Sequence, residues 1–300
     1  MAAILVRERE SQPSRRRPVR SAAVPEPRLI DTWHLGLDRV IGVWERDGVL
    51  VDPGPANTID TVLAELPDGR PRALLLTHIH LDHAGATGTL VERFPDLPVY
   101  VHEAGASHLV DPSRLLRSAA RLYGERMEEL WGEVRPVPER NVFPLSGGEV
   151  AEGLEVIAAP GHASHHVVYL DPGAGDAFVG DVAGVRIPPG DTVWMPTPPP
   201  DIDLERWRAS IAEVLERRPR RLLLTHDGSV AEPERHRAAA AADLERLAGA
   251  SEPGDRERFL TGLEARIGAE PPELAERTRS AMPPELTWLG LERYWRLRET

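Results

Sequence analysis

Short apolar runs broken by turn residues dominate residues 28–230 and predict β-strands, with amphipathic helical segments between them. The pattern predicts strands at 28–34, 39–45, 48–51, 74–76, 98–101, 150–158, 167–170 and 177–179. Helices are predicted after the third strand, at about 84–94, over most of 103–135 and at 204–217. Residues 184–203 are rich in proline, which favours an extended backbone over the surface. This mixture of strands and helices indicates an α/β fold.

One predicted strand occurs twice. Arg70–His78 and Arg218–His226 agree at eight of nine positions, and each copy ends an apolar run on Thr-His. The simplest interpretation is two related halves, each a sheet with helices on its outer face. If the sheets pack face to face, His78 and His226 reach one edge together.

The ends of the chain differ from its middle. Residues 1–27 are polar and rich in Arg and Pro, which predicts a flexible N-terminal tail before a main domain at 28–230. Residues 231–300 lack strand signals, and their apolar stripes predict a helical C-terminal extension. These stripes favour core contacts with the main domain. Their use as a dimer interface is the alternative, so we expect a monomer or a homodimer.

The amino-acid composition limits the partners and the metal ligands to be expected. With 36 Lys and Arg against 48 Asp and Glu, the net charge is −12, which argues against nucleic-acid or membrane partners. No apolar run approaches the roughly 20 residues of a membrane span. Nothing at the N-terminus has the pattern of a secretory leader, so the expected compartment is the cytoplasm. The chain has no Cys, so any metal must be held by His and carboxylates.

Four side chains that can bind metal lie within six residues, directly after the first copy of the repeated strand. They are His78, His80, Asp82 and His83. Buried imidazoles and carboxylates are costly unless they are paired or bound. His and Asp are ligands for zinc and iron, and alternate residues of an extended segment point the same way. The cluster therefore predicts a metal site.

The segment Thr77–Gly85, with its His-x-His-x-Asp-His pattern, resembles the metallo-β-lactamase superfamily. Pro160–His162, Gly180–Asp181 and Thr225–His226 follow in the order found in that family, each at the end of a predicted strand. The resemblance covers about residues 28–230. It implies an αββα metallo-β-lactamase sandwich, here followed by the C-terminal helices.

The same resemblance implies a binuclear site. His78, His80 and His162 would hold the first metal, Asp82, His83 and His226 the second, and Asp181 would bridge them. The implied cofactors are two divalent ions. Zinc is the favoured metal, and iron or manganese also suit these ligands.

The implied activity is that of a metal-dependent hydrolase of the glyoxalase II-like branch. A metal-bridging hydroxide would cleave an ester, thioester or lactone of a small molecule, and Asp82 would orient the nucleophile and relay its proton. Two alternatives stay open. One is a mononuclear iron oxidoreductase like the persulfide dioxygenases, and the other is a phosphodiesterase.

Five further residues are candidates around this site. His166 partly matches a second His of the glyoxalase II pattern, which suggests contact with a metal ligand or with substrate. Asp52 ends a strand near the same edge and could hydrogen-bond a ligand His. Tyr123, Arg186 and Trp194 lie in the segments expected to wall the substrate pocket, 103–135 and 184–200.

Overall fold

The structure, a computed structural model, describes residues 26–251 and 254–299. Apart from residues 26 and 27, the tail predicted at 1–27 therefore lies outside the described residues. Two six-stranded sheets form the centre of the fold. The first has the order β1-β2-β3-β4-β5-β6 and contains Arg28–Asp31 (β1), Gly42–Arg46 (β2), Val49–Val51 (β3), Ala73–Leu75 (β4), Val99–His102 (β5) and Val142–Leu145 (β6).

The second sheet has the order β12-β11-β10-β9-β8-β7. Its strands are Val150–Ala151 (β7), Leu154–Ala158 (β8), Val167–Leu170 (β9), Asp176–Phe178 (β10), Arg221–Leu224 (β11) and Gly228–Val230 (β12). Both sheets are mixed. β3 to β6 run parallel, as do β10 and β11, and the other neighbours are antiparallel.

Helices cover the outer faces of both sheets. They are Ile59–Ala64 (α1), Leu81–Ala84 (α2), Thr87–Arg93 (α3), Glu103–Val110 (α4), Ser113–Tyr123 (α5), Met127–Trp131 (α6), Leu204–Glu216 (α7), Pro233–Ser251 (α8), Arg256–Ile267 (α9), Pro272–Ala281 (α10) and Pro284–Arg296 (α11). Within the described residues, none of them combines the length and the apolar character needed to span a bilayer.

The repeated Leu-Leu-Leu strands are buried on both faces, which explains their continuous apolar sequence. Side chains alternate along a strand, so Leu75 packs between the sheets while Leu74 and Leu76 pack under the helices of the first half. In the second copy, Leu223 packs between the sheets, and Leu222 faces the helical side. The resulting layers are helix, sheet, sheet, helix, which confirms the predicted αββα sandwich with C-terminal helices.

Two local predictions were wrong, and β6 was not predicted. Around Val185 and Trp194, the segment 184–203 does not run over the surface as predicted. An isolated β-bridge between these two residues holds it in the hydrophobic core between the second sheet and its helices. The strand predicted at 150–158 is a hairpin, since Glu152 and Gly153 both take positive φ. The sequence also gave no signal for β6, where Pro144 and the exposed Phe143 interrupt the apolar pattern.

Reciprocal hydrogen bonds join the two sheets at the ends of the repeated strands. The Gly42 amide donates to Thr225 O (2.8 Å), and the Val167 amide donates to Thr77 O (2.8 Å). One residue earlier in each repeat, Trp44 Nε1 donates to the carbonyl of Leu224, and Tyr169 OH donates to that of Leu76, both at 2.9 Å. Each half thus supplies donors to the Leu-Thr carbonyls of the other.

The C-terminal helices are fixed on the main domain by a close backbone approach at Gly290. A Cβ there would lie 1.8 Å from the carbonyl oxygen of Thr197, whereas a Cβ at Gly262 of α9 would meet nothing within 4 Å. We therefore expect Gly290→Ala to lower the free energy of unfolding in urea by about 2 kcal/mol. The matched control Gly262→Ala should raise it by about 0.5–1 kcal/mol, since Ala favours helices. Equal effects would contradict this account of the helix contact.

Candidate metal centre

Four strands, β4, β8, β10 and β11, end at one edge of the sandwich and bring seven His and Asp side chains together. β4 leads to His78 and His80, and α2 begins directly after His80. The complete set that meets there is His78, His80, Asp82, His83, His162, Asp181 and His226. The donor atoms form three groups, each within 4.8 Å: His78, His80, His162; His78, His83, Asp181; and Asp82, His83, His226.

The first group presents three imidazole nitrogens to one point. His80 Nδ1 lies 2.9 Å from His78 Nε2 and 3.0 Å from His162 Nε2. The other ring nitrogens of His78 and His162 are engaged outside the group. His162 Nδ1 donates to Pro196 O (3.1 Å), and His78 Nδ1 lies 3.1 Å from Thr77 Oγ1. Because the outer nitrogens of His78 and His162 carry the protons, their inner nitrogens direct lone pairs at the shared point.

The remaining ligands Asp82, His83 and His226 meet Asp181 on its other side and form a second group with the same arrangement. His83 Nδ1 donates to Asp52 Oδ2 (2.8 Å), and His226 Nδ1 donates to Val40 O (2.5 Å). The inner atoms His83 Nε2, His226 Nε2 and Asp181 Oδ1 are buried and have no hydrogen-bond partner in the part of the chain that the structure describes. Buried polar atoms without a partner are rare, and a cation between them would satisfy all three.

The separations of these atoms suit metal ligands. His83 Nε2 and His226 Nε2 lie 3.3 and 3.5 Å from Asp181 Oδ1, and His162 Nε2 lies 3.4 Å from Asp181 Oδ2. His226 Nε2 is 3.4 Å from Asp82 Oδ2. Ligands bound tetrahedrally at about 2.1 Å lie about 3.4 Å from one another. The side chains present therefore fit a pair of metal ions, with Asp181 facing both groups.

The electrostatics of the two groups differ. Burial lowers the pKa of His162 to about 3 and also lowers the pKa values of His78 and His80, so these imidazoles are neutral. Burial opposes charge on His83 as well, but the carboxylates of Asp181 and Asp82 raise its pKa well above the usual value. A divalent cation among these carboxylates would replace the proton that they otherwise hold on His83.

Asp52 is wholly buried and ties the site to both repeated strands. Its carboxylate accepts hydrogen bonds from Thr77 N (2.7 Å), Thr77 Oγ1 (2.7 Å) and Thr225 Oγ1 (3.2 Å), besides that from His83. Since the Thr77 hydroxyl donates to Asp52, its oxygen is left to accept from His78 Nδ1. Asp52 therefore orients His83 directly and His78 through Thr77.

The remaining predicted residues divide into two sets. His166 Nε2 accepts a hydrogen bond from the Asp181 amide (3.2 Å), and Tyr123 lines the cavity beside the site. Arg186 and Trp194 do not contribute to that cavity. Arg186 donates to Ser229 O, and Trp194 is buried beneath Arg266, whose guanidinium carbon lies 4.0 Å from the indole ring centroid. The part of the proline-rich segment that contains them folds into the core, whereas residues 196–200 of the same segment line the pocket.

His34 also lies beside the site, although no ligand spacing or sequence motif could have identified it. It is 2% exposed, stacks on Trp131 with ring centroids 5.5 Å apart, and lines the cavity beside Asp82. Its Nδ1 has no hydrogen-bond partner among residues 26–251 and 254–299. A neutral imidazole in this position can hydrogen-bond a substrate, because burial lowers the pKa of His34.

A cavity of about 370 Å³ opens onto the metal ligands. His80, Asp82 and Asp181 form its polar end. The other walls come mainly from the segment around α5 and α6, the prolines at 196–200 and the turn between α10 and α11. Their apolar side chains include Leu35, Leu115, Leu122, Tyr123, Leu130, Trp131, Met282 and Leu286.

Removing the charge of Asp52 should weaken metal binding. In Asp52→Asn, the side chain has one oxygen acceptor in place of a carboxylate that serves four donors, so His83 and Thr77 lose their fixed orientation. We expect the dissociation constant for zinc to rise about 10- to 100-fold, measured by competition with a chelator. Asp60→Asn is the control, because Asp60 is exposed and, among the described residues, pairs only with Arg93. Unchanged zinc affinity in a folded Asp52→Asn protein would contradict the orienting role.

Comparison with known proteins supports the same family. The model of the metallo-beta-lactamase superfamily matches residues 43–226. A hydroxyacylglutathione hydrolase of Thermosynechococcus vestitus is 34% identical over 135 residues, which are 44% of this chain and 42% of that protein. The chain thus spans less than half the length of this relative. A metallo-beta-lactamase fold-containing protein of Sulfurisphaera tokodaii is 27% identical over 62% of this chain and 70% of its own.

Solved structures show the same fold over more of the chain. A crystal structure of an archaeal metallo-beta-lactamase superfamily protein from Sulfolobus tokodaii has a TM-score of 0.68 at 24% identity, covering 92% of this chain and 99% of that one. A metallo-beta-lactamase family protein from Thermus thermophilus gives 0.61 at 20% identity, with 93% and 95% covered. The fold likeness therefore extends past the residues that the family model matches. The chain belongs to the metallo-β-lactamase superfamily, and it carries a His and Asp cluster suited to a pair of metal ions.

Proposed function

We propose that the protein is a binuclear metal-dependent hydrolase that cleaves an ester, thioester or lactone of a small molecule. The observation that carries this proposal is the position of the cavity. Its apolar walls end on His80, Asp82 and Asp181, so a bound acyl group would place its carbonyl beside both metal groups. The relatives named hydroxyacylglutathione hydrolase favour an acyl compound as substrate.

In this proposal the ions, when bound, supply an acidified water and positive charge for the carbonyl oxygen. Asp82 contributes the proton transfer. Its side chain is 23% exposed and lines the cavity, whereas that of Asp181 is 5% exposed and faces both metal groups. Asp82 would accept a proton from the attacking water and return it to the leaving oxygen or sulfur. One C–O or C–S bond breaks, and one C–O bond to the water oxygen forms.

The cavity favours an uncharged, apolar acyl group. Its two arginines are already paired, Arg126 with Glu129 and Arg279 with Glu264. His34 is the neutral polar group at the inner wall and could bind a hydroxyl or carbonyl of the substrate. Because charged groups have no free partner there, apolar contacts would select the substrate.

Metal analysis and two substitutions test the proposed reaction. We expect two divalent ions per chain by mass spectrometry, and a folded His80→Ala protein with less metal and no activity. Asp82→Asn should lower kcat about 100-fold or more, because general base catalysis typically contributes that much, while metal content falls far less.

Full activity of Asp82→Asn on the true substrate would refute the proton-transfer role. One iron per chain together with sulfite production from a persulfide would refute the hydrolase and support the oxygenase alternative. A panel of thioesters, lactones and phosphodiesters separates the remaining reaction classes.

The apolar walls predict a dependence on acyl length. In a series of N-acetylcysteamine thioesters, kcat/KM should rise about fourfold per added methylene until the cavity is full, since each buried methylene contributes about 0.8 kcal/mol. Leu122→Ser, which places a hydroxyl in the cavity wall, should flatten this slope. Leu289→Ser is the control, because Leu289 is exposed and does not line the cavity. A flat series in the wild-type protein would exclude an apolar acyl site.

A further inference from the structure

A second cavity, of about 610 Å³, lies on the other side of His80. The two cavities share His80, Leu115, Ser118 and Pro200 in their walls. A molecule that crosses this shared wall would therefore pass directly beside the metal ligands. The two cavities differ in character, since the first is apolar and the second is lined by cationic side chains.

Three arginines of α5 form one wall of the second cavity. Arg114, Arg117 and Arg121 are spaced three and four residues apart, which places them on one face of the helix. All three are exposed, and none pairs with a carboxylate in the part of the chain that the structure describes. Arg126, one turn beyond the helix, differs from these three because its side chain donates a hydrogen bond to Glu129. The three guanidinium groups are free to bind a ligand.

The rest of the lining adds little opposing charge. Its one carboxylate, Asp201, already accepts a hydrogen bond from Ser164 Oγ (2.6 Å). His165 lies in the wall as well, 8% exposed, and its buried Nδ1 has no hydrogen-bond partner within the described residues. The three unpaired arginines make this cavity positively charged, whereas the chain as a whole has a net charge of −12, so the sign of the charge is locally reversed. Such a reversal attracts anions from solution.

We propose that this second cavity is a binding site for the oxyanions of the substrate's leaving group. Guanidinium groups bind both phosphates and carboxylates through paired N–H···O bonds. Resting on the proposed hydrolysis, the arrangement would place an apolar acyl chain in the first cavity and an anionic thiol or alcohol in the second. The bond to be cleaved would then lie beside His80, between them.

Direct binding tests the site without any turnover. The probes are adenosine 3′,5′-bisphosphate, which carries phosphates, and S-methylglutathione, which carries carboxylates and no free thiol. Isothermal titration calorimetry on the metal-loaded protein should show binding of at least one probe. The triple variant Arg114→Gln, Arg117→Gln, Arg121→Gln should weaken it about tenfold or more. The probe that binds more tightly identifies the anion.

A matched triple variant controls for net charge. Arg140→Gln, Arg258→Gln and Arg296→Gln remove the same charge at exposed positions that line neither cavity. Because distant exposed charges are screened by salt, this protein should bind the probe within about twofold of wild type. Equal weakening in both triple variants would overturn the site and leave only a long-range effect of charge.

Turnover separates the two proposals. With butanoyl thioesters of coenzyme A, glutathione and N-acetylcysteamine, the preference in kcat/KM for an anionic over the neutral thioester should fall about tenfold in the first triple variant. If the protein binds a probe through the arginines but hydrolyses no ester, thioester or lactone, the anion site stands and the proposed reaction fails. If it hydrolyses thioesters and neither probe binds, the anion site fails.

Discussion

The site depends on the hydrogen bonds that the buried carboxylate of Asp52 accepts. An ionised group in a fully buried position is costly unless hydrogen bonds compensate for the lost water, and here four donors do so. Two of the donors belong to Thr77, one to Thr225 and one to His83. A single side chain therefore fixes both repeated strands and one metal ligand. Asp52 itself takes a left-handed φ of 54°, a conformation that Asp adopts more readily than most residues.

The walls of the two cavities come from parts of the chain outside this frame. The ligands come from strand ends and α2, whereas the walls come from α5, α6 and the turn between α10 and α11. The C-terminal helices lie outside the residues that the family model matches, yet Met282 and Leu286 face the candidate site. The candidate metal ligands and the cavity walls thus come from different segments, an arrangement in which loops and helices add a site to a rigid scaffold.

The sequence predicted the sheets and the cluster of ligands because both leave local marks. Buried strands are continuous apolar runs, and metal ligands are polar residues directly after them. The walls leave no such mark. Trp194 was expected in the pocket and packs in the core, since a large aromatic residue among prolines gives no information about which side it faces. His34 and Met282 reach the cavity through tertiary packing, and β6 is held by pairing with β5 despite its proline.

The cross-sheet hydrogen bonds relate the two halves of the chain by an approximate twofold axis. Within the first sheet the Asp52 amide donates to Leu75 O, and within the second the Val179 amide donates to Leu223 O, both at 3.0 Å. Asp52 and Val179 therefore occupy equivalent positions in the two halves. The backbone frame is symmetric there, but one half carries a carboxylate and the other an apolar side chain. Of the two equivalent strand ends, only that of the first half thus carries a carboxylate that orients metal ligands. Separating the halves would break the bonds at Thr77 and Thr225 together, so the edge that holds the metal ligands is expected to open as one cooperative unit.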